Sequence, residues 1–386
     1  MENWRDRAAI AGIGWTRFSK ASGVSVLHLA VEACRNAIED AGLTSRDIDG
    51  MACYEVGDSV PSVTVASNLG VPELRYSLDL RMGGPGGCMT VMAAAQAVAL
   101  GTANYVVCYR AMNGRSGTRW GQAGPMEDYC GTEGQFMLPY GWVSAPQIIA
   151  MWCRRHMVKY GTTSQQLGAI AATCRQHASL NERAMKRTLI TIDDYLDSPM
   201  IADPFRLLDI CLETDGACAV VVTTAERAQA LRHRPVYIMA AAQGAGPLAS
   251  MSPWPNQWAD HSECYARYIA PRLFAMAGIT PKDIDVAEIY DCFTYSLLVQ
   301  LEDFGFCSKG EGGAFVAEGR IGLGGELPVN THGGLLSEGY IHGMNHIPEA
   351  VSQLRGDAGP RQVRDAEIAL VTGYGASMGS ALILRK

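Results

Sequence analysis

The sequence has no Cys-x-x-Cys pair, although it holds 12 cysteines, at 34, 53, 88, 108, 130, 153, 174, 211, 218, 264, 292 and 307. Scattered singly, and mostly inside apolar runs, they argue against a zinc ribbon or thioredoxin-like site and read as small hydrophobes in a reducing compartment. No run of five Lys or Arg appears and the net charge is −7, which argues against nucleic acid as the main partner, because phosphate binding relies on a basic face. No apolar stretch reaches the roughly 18 residues that a bilayer span needs. The N-terminal Met-Glu-Asn-Trp-Arg-Asp-Arg has no apolar signal core. A cytoplasmic protein with no membrane span is expected. Charge is scarce, 18% against 48% hydrophobic, so the 386 residues can fill a large core and two or three ordinary domains.

Strands and helices alternate along the chain. Arg7–Trp15 reads as a buried strand, Val24–Asp40 as a helix closed by Gly42, Gly50–Val56 as a strand and Val63–Leu69 as a short helix. Gly83-Gly-Pro-Gly-Gly-Cys88 is a tight loop before a helix over Met89–Leu100, which is uncharged on every side and so belongs between layers. Tyr105–Cys108 is a core strand. From Gly114 to about Met200 the composition shifts, with helices over Trp152–Tyr160 and Ser164–Asn181, the latter capped by Thr163 or Ser164. Strand character returns at Cys218–Thr223.

Ala41-Gly-Leu-Thr-Ser-Arg-Asp-Ile-Asp49 recurs as Ala277-Gly-Ile-Thr-Pro-Lys-Asp-Ile-Asp285, each copy following a helix and preceding a strand. The second half then reads as strand Val236–Gln243, helix Tyr265–Met276 (kinked or started late by Pro271), strand Ala287–Tyr290, a glycine-rich loop over 330–343, a helix near His346–Leu354, and strand Ile368–Thr372. Two such halves imply α/β architecture with mostly parallel sheets, pseudo-twofold symmetry, and a site at the junction near strand ends. The expected domains are 1–113 with 201–230, an insertion over 114–200, and 231–386. Two segments concentrate proton-handling groups: Glu288-Ile-Tyr-Asp-Cys-Phe-Thr-Tyr295 and Asn330-Thr-His-Gly-Gly-Leu-Leu-Ser-Glu-Gly-Tyr-Ile-His-Gly343.

Together with Asp203-Pro-Phe-Arg-Leu-Leu-Asp-Ile-Cys-Leu-Glu-Thr-Asp-Gly-Ala217, these blocks make the chain resemble the thiolase superfamily over its whole length. More narrowly it resembles the thiolase-like non-specific lipid-transfer (sterol-carrier) proteins. The resemblance implies a five-layer α-β-α-β-α thiolase fold from two pseudo-symmetric halves, an inserted loop domain, usually a dimer, and acyl-CoA thioesters as substrates, with no cofactor beyond the CoA of the substrate itself. It also shows departures. The thiolase nucleophile would fall at about Pro85, three residues before Cys88. The family's two histidines are Tyr290 and Tyr340, and the second catalytic cysteine is missing from Gly373-Tyr-Gly-Ala-Ser-Met-Gly379.

Two tyrosines in place of two histidines keep hydrogen-bonding acid/base groups and suit retro-aldol cleavage of a β-hydroxyacyl-CoA, which needs no covalent intermediate. This resembles the actinobacterial steroid side-chain-cleaving aldolases, which release propionyl-CoA from a 17-hydroxy steroid bearing a C20 carboxyl-CoA. The resemblance implies Tyr290 and Tyr340 as the acid and base pair but leaves their order open; we assign Tyr340 as base toward the hydroxyl and Tyr290 as acid toward the enolate. Oxyanion donors are expected from backbone N–H groups of the Gly373–Gly379 turn, such as Gly375 and Gly379, and from His332, which is equally a candidate for ordering its loop. Asp291, Glu338 and His342 are candidate supporting residues, and Tyr295 and His346 candidate substrate or supporting contacts. Trp120, Trp142 and Trp152 either line a sterol pocket or pack the core. The implied partner is a small OB-fold/zinc-ribbon protein, frequently hydratase-associated, which would also supply the basic surface for CoA phosphates. Rival readings are a non-catalytic sterol or acyl-CoA carrier, and a thiolase using Cys88.

Overall fold

The nine-residue repeat folds the same way twice in the computed structural model, which describes residues 5–117, 119, 134–142, 144–247 and 260–386. Each copy leaves its helix through a left-handed glycine, Gly42 (φ 76°) or Gly278 (φ 67°). Thr44 then donates its N–H and hydroxyl to Asp47 at 2.8 and 2.7 Å, and Thr280 does the same to Asp283 at the same distances. The final aspartate of each copy reaches a neighbouring strand. Asp49 accepts the Tyr105 N–H at 2.9 Å, and Asp285 the Ile368 N–H at 2.9 Å.

In chain order the first half runs β1 (Ala8–Trp15), α1 (Val26–Asp40), β2 (Gly50–Glu55), α2 (Ser62–Leu69), β3 (Tyr76–Arg81), α3 (Gly86–Ala99) and β4 (Tyr105–Asn113). Next come α4 (Gly134–Met137), α5 (Ala145–Tyr160), α6 (Ser164–Ser179), α7 (Ile192–Leu196) and the small pair β5 (Met200–Ala202) and β6 (Phe205–Arg206). β7 (Asp215–Thr224) and α8 (Ala225–Ala228) complete the first half. The second half holds β8 (Val236–Ala245), α9 (Ala266–Ala277), β9 (Val286–Glu288), α10 (Thr294–Asp303), α11 (Gly312–Ala317), α12 (Gly334–Ser337), α13 (His346–Arg355), β10 (Ile368–Gly375) and β11 (Met378–Arg385).

The strands join in the order β3-β2-β4-β7-β1-β8-β11-β10-β9. Read outward from β1 and from β8, the two halves repeat one pattern; the outermost strand of the second is reduced to a single parallel bridge, Val329 to Ala287. β1 and β8 pair over only Ala9–Tyr237 and Ile10–Val236. Beyond that seam the halves diverge and enclose α3 and α13, each of which touches strands of both halves. α1 and α2 cover the first half, and α9 and α10 the second, so the five expected layers are present. The charge-free sequence of α3 is explained by this middle position.

Several boundaries differ from the sequence reading. α3 begins at Gly86, not Met89, because Pro85 already adopts helical angles and starts it. α5 begins at Ala145 behind a Ser144–Gln147 capping box, well before Trp152. α9 accommodates Pro271 within its length instead of starting after it. The presumed glycine turn of 373–379 is mostly strand: Gly373 pairs with Ser380, Tyr374 with Gly379 and Gly375 with Met378, leaving Ala376 and Ser377 to turn.

Candidate active site

The two polar segments meet. Tyr290 follows β9 and is fixed by its backbone: its N–H donates to Thr372 Oγ1 at 2.9 Å and its carbonyl accepts Gln300 Nε2 at 2.8 Å. Its ring lies in a cradle with glycine on both sides. A Cβ on Gly84 would fall 2.7 Å from Tyr290 Cζ, and one on Gly343 2.6 Å from Cδ2 and Cε2. Tyr374 stacks on the ring at 6.4 Å and 25°. Tyr340 leaves the loop after α12, its N–H donating to Thr214 Oγ1 at 2.9 Å. The Tyr290 and Tyr340 hydroxyls are 2.9 Å apart, either able to donate to the other.

Burial pushes both phenols well above their ordinary value. The pair is asymmetric, however. The charge of Arg110 favours the anion of Tyr340, and the shared hydrogen bond couples the two titrations. The N-terminus of α3 begins at Gly84 and Pro85 beside the Tyr290 hydroxyl, so the positive end of a 14-residue helix lies next to that phenol.

Around the pair opens a cavity of about 760 Å³, within the range for small-molecule sites. Ile149, Ile201, Leu207, Leu208 and Leu336 give it an apolar wall, while Lys20, Arg115, Arg119, Arg175 and Lys186 give it cations. Arg115 and Arg119 share Glu213, at 3.5 and 2.7 Å. An acidic chain therefore places a local cluster of cations, with Glu213 among them, at this cavity, which net charge averages away.

No described cavity-lining thiol is activated. Burial raises Cys211 strongly and Cys292 to about 12. Cys88 does not line the cavity; it sits inside the middle layer, its Sγ 3.6 Å from the Val371 carbonyl, with burial raising it to about 12. A packed thiol of this kind is a poor acyl acceptor, and the Cys88 thiolase reading loses its nucleophile.

Behind the cavity lies a buried ionic frame. His332 Nδ1 is 2.9 Å from Glu288, His332 Nε2 is 3.1 Å from His346 Nδ1, and His346 Nε2 is 3.5 Å from Asp291. Glu349 joins it through Arg361 at 3.0 Å and Thr331 Oγ1 at 2.8 Å. Asp291 accepts the Leu335 N–H at 2.8 Å and so anchors the start of α12. Glu338 accepts from Asn181 and Asn345, each at 2.8 Å. Burial alone would lower the His332 imidazole, but Glu338 and Glu288 outweigh it and hold it at about 9.

That shift makes a stability prediction with a definite sign. A histidine raised in the folded state contributes fully below its unfolded value of about 6.5 and loses the contribution as pH climbs through the folded value. His342 and His177, pushed down by burial to about 3 and about 4, act in the opposite sense and weaken the fold as pH falls below about 6.5. The melting temperature should therefore peak near neutrality, with His332→Asn flattening the alkaline limb. A melting temperature that climbs steadily between pH 7 and 9 would contradict this.

Of the expected site residues, Tyr290, Tyr340, His342 and Gly375 line the cavity, together with Tyr374 and Ala376. His332 does not reach it, because Glu288 and His346 occupy its ring; it orders the loop. Gly379 also lies away from the cavity, its Cα covered by the Tyr265 ring, where a Cβ would meet carbon at 2.3 Å. Tyr295 and Trp152 are core residues, the former edge-on to His156 at 5.6 Å. Trp142 packs half-buried against the same core, and Trp120 lies outside the described residues. Sequence reasoning missed Arg110 and Asp58, whose buried side chains are joined at 2.6 and 2.5 Å. The signal was there: a lone arginine within the apolar run Tyr105–Met112 requires a buried partner.

Comparison with known proteins shows what the chain is similar to. Residues 252–385 match the family described as thiolase C-terminal domain-like. The chain is 45% identical over 385 residues to a 17-hydroxy-3-oxo-4-pregnene-20-carboxyl-CoA lyase of Mycobacterium tuberculosis, covering 98% of this chain and 99% of that one. It is 44% identical to a steroid side-chain-cleaving aldolase of Thermomonospora curvata, covering 98% and 97%. Among solved structures, the Ltp2-ChsH2(DUF35) aldolase superposes with a TM-score of 0.93 at 42% identity, covering 100% of this chain and 99% of that one. Human mitochondrial 3-ketoacyl-CoA thiolase, at a TM-score of 0.71 and 15% identity, shares the fold. The fold and site define a thiolase-like protein in which, among the described residues, neither Cys88 nor a cavity-lining cysteine is an activated nucleophile. Within that class the chain belongs to the family of the steroid side-chain-cleaving aldolases.

Proposed function

We propose that this protein is a carbon–carbon lyase that cleaves the C17–C20 bond of a 17-hydroxy steroid bearing a C20 carboxyl-CoA, giving a 17-ketosteroid and propionyl-CoA. The observation that carries the mechanism is the 2.9 Å contact between two protonated phenols on the cavity wall, Tyr290 buried and Tyr340 half-buried. Neither is a phenolate at rest, so the pair works as a relay. The 17-hydroxyl gives its proton to the Tyr340 oxygen as Tyr340 passes its own to Tyr290. The C17–C20 electron pair moves onto the thioester as an enolate, the C17–O bond becomes a carbonyl, and the Tyr290 proton goes to C20. Protons balance without solvent, a free base or a cofactor beyond the substrate's own CoA. Tyr340 is placed toward the hydroxyl because its anion is the better supported, and the α3 N-terminus faces the charge that develops. The apolar wall suits a steroid, and Lys20, Arg115, Arg119 and Lys186 suit the CoA phosphates.

A 17-hydroxy and a 17-deoxy steroidal acyl-CoA should both bind, and only the first should be cleaved. Cleavage of neither, with binding retained, would leave a carrier protein. The similar Ltp2-ChsH2(DUF35) aldolase structure supports a separate partner of the DUF35 type, and we propose from the family resemblance that this partner is a small OB-fold/zinc-ribbon protein, frequently hydratase-associated, acting with a homodimer of this chain. Turnover by the isolated chain that is unchanged on adding such a partner would count against it.

A further inference from the structure

The relay leaves one requirement unmet, a side-chain donor at the thioester oxygen where enolate charge builds. We propose that His342 is that donor, presenting a neutral imidazole Nε2–H that Arg110 and Asp58 hold in place. The inference rests on the aldolase reading above and deepens it.

His342 lines the cavity two residues after Tyr340, the two rings 5.2 Å apart. Its Nδ1 is 3.2 Å from Arg110 Nη2. An arginine only donates, so Nδ1 must accept, and the imidazole proton is left on Nε2. Nε2 lies 3.4 Å from the position of a Cβ on Gly83, while the same position on Gly84 is 2.8 Å from the Tyr290 hydroxyl. Nε2 and that hydroxyl therefore face one short side-chain-free segment at the start of α3.

The support for the ring is unusually complete. Arg110 is buried in β4, grips both oxygens of Asp58 at 2.6 and 2.5 Å, donates to the Ala111 carbonyl at 3.0 Å and lies 5.4 Å over the Tyr54 ring. The Tyr54 hydroxyl in turn donates to the His342 carbonyl at 2.8 Å. His342 also has φ of 53°, a conformation a histidine adopts at some cost. Burial and the Arg110 charge hold the imidazole at about 3, so it stays an uncharged donor throughout the working range. A neutral donor stabilises an enolate without surrendering its proton to it, which leaves Tyr290 to protonate C20.

The test compares wild type with His342→Leu and His342→Gln, assaying cleavage of the 17-hydroxy steroidal acyl-CoA in whatever complex supports turnover. His342→Leu should lower kcat about 100- to 1,000-fold, the usual effect of losing one oxyanion donor, with KM little changed. His342→Gln, which keeps an N–H, should recover part of that loss. Nitrogen NMR of histidine-labelled wild type provides a readout independent of activity: His342 should be neutral and protonated at Nε2, and Arg110→Met should lose that bias. A His342→Leu enzyme that melts like wild type and keeps its kcat, or a His342 protonated at Nδ1, would overturn the proposal. If cleavage in wild type fails altogether, the aldolase reading falls and takes this role with it.

Discussion

Tyr340→Phe and Tyr290→Phe should each bind substrate and cleave it about 100- to 10,000-fold more slowly than wild type, the range over which a positioned proton-transfer group acts. Each substitution removes one oxygen and keeps the ring that fills the site. Loss of the mutual hydrogen bond should cost only about 1 kcal/mol of stability, so the folded protein remains assayable. Because the two hydroxyls form one relay, 2.9 Å apart, the double variant should be scarcely slower than the worse single one. Independent roles would instead multiply the losses. With both phenols protonated at rest, kcat should also be level between about pH 6.5 and 8.5. A resting phenolate base would give a rate rising tenfold per pH unit, contrary to the raised values of both phenols.

Gly343→Ala should be nearly as damaging to turnover, although it touches no reacting atom. Gly343 has φ of 84°, and a Cβ there would lie 2.6 Å from two carbons of the Tyr290 ring. The ring cannot retreat freely, because Gly84 and Tyr374 close the other sides. A displacement approaching 1 Å at a reacting group costs roughly 100-fold in rate, and kcat should fall by about that factor. Gly356→Ala is the control. Gly356 has the same φ of 84° but nothing within 4 Å of a Cβ, so it carries the backbone strain without the clash. It should lose about 1 kcal/mol of stability and keep its kcat. Equal losses of kcat in both variants would mean that backbone strain, not the Tyr290 cradle, sets the rate.

The layered fold was legible because its signals are local and repeated. Thr44–Asp47 and Thr280–Asp283 make the same turn from the same residues, and a helix as free of charge as α3 has few places to go. The meeting of Tyr290 with Tyr340 was also legible, since each occupies a marked position in a polar block. What could not be read was which face of each block turns inward. His332 and His342 sit ten residues apart in one glycine-rich loop and look alike in sequence. One is locked behind the cavity by Glu288 and His346, the other placed in its wall by Arg110. That difference depends on partners from β9, α13 and β4, far apart in the chain. The cations lining the cavity escaped notice for the same reason, as Lys20, Arg115, Arg119, Arg175 and Lys186 form no run and converge only on folding.

The most direct test of non-covalent cleavage by this site is a mass measurement. Wild-type protein in its active complex would be mixed with the 17-hydroxy steroidal acyl-CoA, quenched at intervals, and both small products and intact protein weighed. The account predicts 17-ketosteroid and propionyl-CoA in equal amounts, with the protein mass unchanged at every time point. An acyl adduct on the protein would restore a thiolase-like nucleophile and contradict it, and bound but uncleaved substrate would leave the site with binding alone.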